Sequence, residues 1–293
     1  MSEYQIIENY RDDGQLREAY FKYTETIFPG ISFRDWYARG FWPNEYNPVS
    51  MINQGRIISN ISIARMKILL NGSEVSAIQL GAVGTLEEYR GQGLSRRILN
   101  YILSKYSGSV DFFFLFADEE VYDFYRKLGF RKINQSYFID NVELPSPNFK
   151  ARKLDIANPR DFDIVMRLID NRQDLTAIFG ARGYGFVTLW HVLNIHPQNL
   201  YYLPDEDAII IKTEKDGTLK IWDIIFSDSF DIVEALPKII ESEKIKSINY
   251  YFPPDILKFV CDKIKPFEDY GLFVSGNFMQ SETAFRFPPT AET

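Results

Sequence analysis

In 293 residues the chain has one cysteine, Cys261, and two histidines, His191 and His196. A single cysteine excludes an internal disulfide framework and a cysteine-based zinc cluster. Cys261 follows Phe259 and Val260 in an apolar, helix-like pattern over 255–263, which reads as a buried structural thiol, not a nucleophile. The histidines stand five apart, a spacing that splits them across a helix, and no third ligand accompanies them; a structural role is expected, with no metal. Basic residues are in the minority, 33 against 40 acidic, for a net charge of −7. A nucleic-acid-binding chain normally carries a basic excess or patch, so no nucleic-acid partner is expected. No apolar run reaches the roughly 20 residues that span a bilayer, and residues 1–15 are too polar and acidic for a signal peptide. No membrane partner is expected, and the cytoplasm is the expected location.

What the chain does have is aromatic and aliphatic bulk, 45% hydrophobic with 16% aromatic, enough for packed cores in a length that allows two domains. A helical pattern over 13–28 ends at Pro29-Gly30. An aromatic segment follows, with Phe33, Trp36, Tyr37, Phe41, Trp42 and Tyr46. Residues 55–70 and 74–83 read as strands joined by Asn71-Gly72, the strongest short hairpin signal in the chain. Residues 112–116, Phe-Phe-Phe-Leu-Phe, read as a strand buried on both faces. The proline-containing stretch 144–148 reads as a linker. Beyond it come a helix over 160–171, a hairpin of 208–213 with 219–226, a helix over 231–241, a strand over 247–252, a helix over 255–263 and a closing strand near 272–274. That order parallels the first half.

The most informative stretch is Arg90-Gly91-Gln92-Gly93-Leu94-Ser95, between an apolar strand at 77–85 and a periodic helix over 94–105. Glycines at 91 and 93 remove the Cβ atoms that would block a ligand, so that successive N–H groups can turn toward one anion. The helix behind adds unpaired first-turn donors and its positive dipole end. A dinucleotide fingerprint would need a third glycine where Arg96 stands, and no Gly-Lys-Ser/Thr is present for a nucleotide P-loop.

The stretch resembles the acyl-CoA site of the GNAT superfamily of N-acyltransferases, Gln/Arg-x-x-Gly-x-Gly/Ala, with Ser95 in the last position. Its approach, Val83-Gly84-Thr85-Leu86-Glu87-Glu88-Tyr89-Arg90, is similar to the family's Val-x-Thr-x-Pro-Glu-Tyr-Arg. A second segment, Asp118 to Phe130, resembles Asn-x-x-Ala-x-x-Phe-Tyr-Glu-Lys-Leu-Gly-Phe, matching at Phe124, Tyr125, Lys127, Leu128, Gly129 and Phe130. Here Asp118 is expected to cap a helix that Gly129 closes.

The resemblance implies an α/β fold with a mixed, mostly antiparallel central sheet flanked by helices. The second half, lacking any Arg-x-x-Gly-x-Gly after its hairpin, would be a degenerate copy, giving domains 1–143 and 149–293 in tandem. It implies acetyl-CoA as co-substrate, its pyrophosphate on the N–H groups from Gly91 through Gln92, Gly93, Leu94 and Ser95 to Arg96, with Arg90 and Asp118 in the binding set. The pantetheine would pair like an added strand with Gly81, Ala82, Val83, Gly84 and Thr85, splaying the two central strands. The Val83 N–H would receive the developing oxyanion. Tyr125 occupies the general-acid position, with Tyr122 in reserve. No general base is legible: Gln79 stands where many relatives carry glutamate, while Asp111, Asp118, Glu119 and Glu120 are acidic candidates. The acceptor would be a small-molecule or peptide amine. The acidic net charge mildly favours a cationic one such as an aminoglycoside, a polyamine or a basic peptide terminus, and the aromatic segment 33–46 serves as core or as a wall around it. A homo-oligomer is left open. A non-catalytic acyl-CoA sensor or a scaffold is the alternative.

Overall fold

A computed structural model describes residues 4–141, 147–257, 260–279 and 282–293. Its first half runs β1 (Gln5–Ile7), α1 (Gly14–Ile27), α2 (Arg34–Ala38), β2 (Tyr46–Asn53), β3 (Arg56–Leu70), β4 (Ser73–Thr85), α3 (Leu94–Tyr106), β5 (Phe112–Ala117), α4 (Tyr122–Arg126) and β6 (Arg131–Asp140). Asp13 starts α1 by accepting from the N–H groups of Gln15 and Leu16, as an N-cap does. Asn71 and Gly72 both sit at positive φ, 51° and 77°, as a type I′ turn requires, and the hairpin expected there joins β3 to β4. The helix expected over 94–105 is α3, with Leu94, Ile98, Leu99 and Ile102 buried. Phe112, Phe113, Phe114 and Leu115 are all buried, so both faces of β5 are covered.

The single helix expected over 118–129 is corrected. Residues Glu119–Val121 form a 3-10 turn and α4 begins only at Tyr122. Asp118 makes no side-chain capping bond, because Val121 at φ −110°, ψ 6° breaks the helical path ahead of it. Gly129 does close the segment, at φ 86°.

The second half runs β7 (Arg152–Lys153), α5 (Pro159–Asp170), β8 (Phe179–Arg182), α6 (Gly185–Asn194), β9 (Leu200–Leu203), β10 (Ala208–Lys215), β11 (Thr218–Phe226), α7 (Ile232–Ile239), β12 (Ser247–Tyr250) and β13 (Lys263–Gly276). Of the expected linker, residues 144–146 lie outside the described residues, while the Asn148 N–H donates to the Pro237 carbonyl at 2.8 Å. The helix expected over 255–263 is not one: 255–257 form a turn, 258–259 lie outside the described residues, and Lys263 already opens β13. Pairing of Lys263 to Phe267 with β6 outweighs the local helical pattern, an instance of tertiary contacts overriding propensity. Cys261 is accordingly half-buried outside any helix, and burial pushes its thiol up to about 12.

The described strands join in one mostly antiparallel sheet, ordered β1-β2-β3-β4-β5-β13-β6-β12-β11-β10-β9-β7, with β8 also paired to β3. Its two parallel pairings, β4 with β5 and β11 with β12, each follow a hairpin and cross over by a helix. Among the described residues, strand pairing binds the halves at three places, one of them β12 against residues 138–140 of β6. β13 enters between β5 and β6, and β8 pairs with residues 67–70 of β3. Phe179 of β8 packs its ring against Phe114 and Phe287 at centroid distances of 5.9 and 4.8 Å.

Candidate active site

Pairing of β4 with β5 ends at Leu80↔Leu115, leaving one side of residues 81–85 without a strand neighbour. This is the splay expected beside a strand-like ligand. On its other side β4 stays paired to β3 but bulges: Asn60 faces Gly84 and Ser62 faces Gly81, so two residues, Ala82 and Val83, oppose Ile61. Ala82 takes φ 46°, and the Asn60 side-chain amide donates to its carbonyl at 2.9 Å. A bulge re-aims consecutive side chains, and this one sends its two residues to different cavities.

Val83 opens onto a cleft of about 550 Å³. Gly84 and Thr85 continue that wall; Arg90, Gly91 and residues 93–96 form the loop and helix end; Val121, Phe124 and Tyr125 face them. Gly91 and Gly93 sit at φ 76° and 73°, with open space where a Cβ would project. As the N-terminal residue before α3, Gly93 supplies no side-chain cap, so the first-turn N–H donors of a 13-residue helix keep their capacity for an anion. These are the features a CoA pyrophosphate needs, and the cleft fits it. At the start of α7, by contrast, the Asp231 carboxylate accepts from the Val233 and Glu234 N–H groups, consuming first-turn donors there.

Ser95, which departs from the family's glycine or alanine, has a task. Its hydroxyl lies 2.9 Å from that of Thr85, which lies 2.8 Å from that of Ser59, tying the start of α3 to the end of β4 and to β3. The Arg90 Nε donates to the Thr85 carbonyl at 3.2 Å. Tyr125 is buried, and burial pushes its hydroxyl up to about 12. Tyr122 goes elsewhere: its ring packs at a tilt against Phe273, with centroids 5.0 Å apart, and occupies the space a Cβ on Gly271 would need. Gly81, Ala82, Gln92 and Asp118 are not among the residues lining the cleft.

Ala82 opens onto a second cavity, of about 230 Å³. Phe33, Trp36 and Tyr46 form one side, and Phe186, Val187 and Trp190 of α6 the other. The aromatic segment is thus both core and wall. Trp36 is buried, and its indole N–H donates to the Phe186 carbonyl at 2.8 Å. The Tyr46 hydroxyl meets that of Tyr20 at 2.7 Å. Thr293 closes the end against Gly81, where any Cβ would collide with its backbone. The α6 wall and Thr293 were missed in the sequence, because nothing local links residues 186–190 or 293 to β4.

The acidic candidates for a base line neither cavity. The Asp111 carboxylate accepts from the Ser76 N–H at the far end of β4. Gln79 is fully buried and clamps the final segment: its amide donates to the Ala291 carbonyl at 2.9 Å and its oxygen accepts from Thr293. His191 donates from Nε2 to the Glu292 carbonyl at 2.7 Å, and His196 contacts Asn199. Burial holds both imidazoles down at about 4.

Residues 15–133 match the family model of the acetyltransferase (GNAT) domain. No curated protein sequence matches the chain. Among solved structures, it is similar to a conserved protein of unknown function from Enterococcus faecalis, with a TM-score of 0.62 and 14% identity over 93% of this chain and 72% of that one. It is similar also to a GCN5-related N-acetyltransferase from Kribbella flavida, TM-score 0.56, 14% identity, 93% and 71% covered. A third, a GCN5-related N-acetyltransferase from Anabaena variabilis, gives 0.55 and 14% over 92% and 72%. The likeness is therefore one of fold across nearly the whole chain.

Proposed function

From the premise that residues 15–133 form a GNAT acetyltransferase domain, whose relatives use acetyl-CoA as acetyl donor, we propose that this chain transfers an acetyl group to a primary amine by direct attack in a ternary complex. One observation carries the reading: the β4 bulge places consecutive residues in two cavities, Val83 in the glycine-lined cleft and Ala82 in the aromatic one. Donor and acceptor can then meet across a single peptide unit.

The loop from Arg90 to Arg96 holds the pyrophosphate by its N–H groups, and residues 81–85 hold the pantetheine as a strand neighbour would. Acetyl-CoA supplies the activated acyl group. The amine nitrogen bonds to the thioester carbon as the carbon–sulfur bond breaks, and the sulfur leaves with the electron pair. The Val83 N–H stabilises charge on the carbonyl oxygen. Tyr125 donates toward the leaving sulfur, a role that needs only a retained proton, and a value of about 12 provides one at any physiological pH. An ammonium has no lone pair and must lose its proton first. No charged side chain lines the aromatic cavity, so desolvation there lowers the amine's pKa and favours its neutral form with no side-chain base.

Two GNAT-like units, 1–143 and 149–293, complete the reading. It is supported by the repeated hairpin, helix and parallel strand of β3-β4-α3-β5 and β10-β11-α7-β12, and by Asp216-Gly217 at positive φ like Asn71-Gly72. The second unit closes its anion site with Asp231 and lends α6, β13 and its final segment to the first. A cytoplasmic setting belongs to the proposal, since one cysteine makes no use of an oxidising compartment. No helix among the described residues is long and apolar enough to cross a membrane.

Calorimetric titration with acetyl-CoA, against CoA and NADH, tests the donor site. Selective binding of the CoA species is expected; equal or absent binding refutes it.

A further inference from the structure

Resting on that acetyltransferase reading, the geometry points to the chemical class of the acceptor: a compact monoamine carried on an apolar, aromatic or branched body, not a polycation. The cavity at Ala82 decides this. Its wall carries no Asp, Glu, Lys, Arg or His side chain. A polyamine or aminoglycoside entering it would bring several ammonium groups, of which acetylation neutralises one. The rest would find no charged side chain in that wall to pair with, and each one desolvated there would be penalised. A monoamine avoids this, because its one nitrogen is the atom that sheds its proton and becomes the neutral amide.

Size and shape agree. A volume of about 230 Å³ exceeds the roughly 150 Å³ of an apolar cavity that takes benzene, leaving space for a ring and a short aminoalkyl arm. Phe33, Trp36, Tyr46 and Trp190 present ring surface for stacking, and ring faces also tolerate one ammonium on entry. The Trp190 indole N–H is buried without a hydrogen-bond partner, an unspent donor in a residue of this wall that an oxygen on the apolar body would satisfy. The overall charge of −7, which had favoured a cationic acceptor, is spread over surfaces outside this cavity.

The test uses the purified full chain with saturating acetyl-CoA, thiol release being followed with tryptamine, 2-phenylethylamine, spermidine and kanamycin. The aromatic monoamines are expected to exceed both polycations in kcat/KM by about tenfold or more. Ile31, half-buried at the same cavity, supplies two variants. Ile31→Trp fills space and is expected to raise the KM for tryptamine about tenfold while the Kd of acetyl-CoA stays within about twofold. Ile31→Asp adds a carboxylate and is expected to shift preference toward spermidine. Polycations turned over as well as the aromatic amines, or a tryptamine KM indifferent to Ile31→Trp, overturns the inference while the acetyltransferase reading stands. Should acetyl-CoA itself fail to bind, that reading falls and calorimetry with tryptamine alone decides the cavity. Binding abolished by Ile31→Trp upholds it as an apolar-amine site, and no binding overturns it.

Discussion

The Gln79 side-chain oxygen accepts from both the backbone N–H and the hydroxyl of Thr293, the hydroxyl at 2.7 Å. Residues 214 positions apart are thereby held at the centre of the sheet, where β4 is about to bulge. The last segment is pinned elsewhere too: the Thr290 hydroxyl donates to Asp223 at 2.5 Å, and Asp223 takes a two-pronged contact from the buried Arg172 guanidinium.

Gln79→Glu tests that clamp. It replaces the donor facing the Ala291 carbonyl with an oxygen and buries a charge, and is expected to cost on the order of 2–4 kcal/mol. Thermal unfolding should show a Tm loss of roughly 2–4 °C per kcal/mol; an unchanged Tm would mean that the segment is not held from β4.

Gly93→Asn and Gly93→Asp form a matched pair at the cradle. Both residues tolerate the left-handed backbone at φ 73° better than other side chains, and they differ in charge. Asparagine is expected to keep acetyl-CoA binding within about tenfold, and aspartate to weaken it by about a further tenfold or more through repulsion of the pyrophosphate. Equal affinities by calorimetry would remove the phosphate from this loop.

Tyr125→Phe is expected to lower kcat about 10²-fold, the lower end for loss of a positioned acid, with the Kd of acetyl-CoA within about twofold. Tyr122→Phe, whose ring packs beside Phe273 and Gly271, should leave kcat within about twofold. Parallel losses of kcat and affinity in the Tyr125 variant would indicate packing instead of donation.

Stability should depend on pH in two opposed ways. His191 and His196, held down at about 4 by burial against about 6.5 unfolded, contribute stability that is present above pH 6.5 and lost as pH falls toward 4. Glu292 is pushed up to about 8 by burial, with Arg286 and the Tyr270 hydroxyl pulling it back, against about 4.3 unfolded. Its contribution is full below that value and is lost as pH rises toward 8. Urea midpoints across pH 4 to 8 should flatten on the acid side in His196→Phe and on the alkaline side in Glu292→Gln, and unaltered slopes would contradict both assignments.

Local chemistry was readable without a structure wherever the signal is local. The Asn71-Gly72 turn, the amphipathic face of α3 and the glycines at 91 and 93 all act through neighbours a few residues away, and each appears where the residue pattern places it. The helices expected at 118–129 and 255–263 failed because their apolar spacing served another end: Tyr122 turns to β13, and the residues from Lys263 onward pair with β6. By itself the sequence determined the Asn71-Gly72 turn, the buried face of α3 and the left-handed glycines at 91 and 93, since backbone conformation and amphipathic spacing are short-range consequences of residue type. Only the tertiary structure decided that α6 walls the second cavity, that Thr293 meets Gln79, and that Ser95 links α3 to β4 through Thr85. Those contacts join residues whose separation carries no periodicity, and they exist only because one sheet runs through both halves.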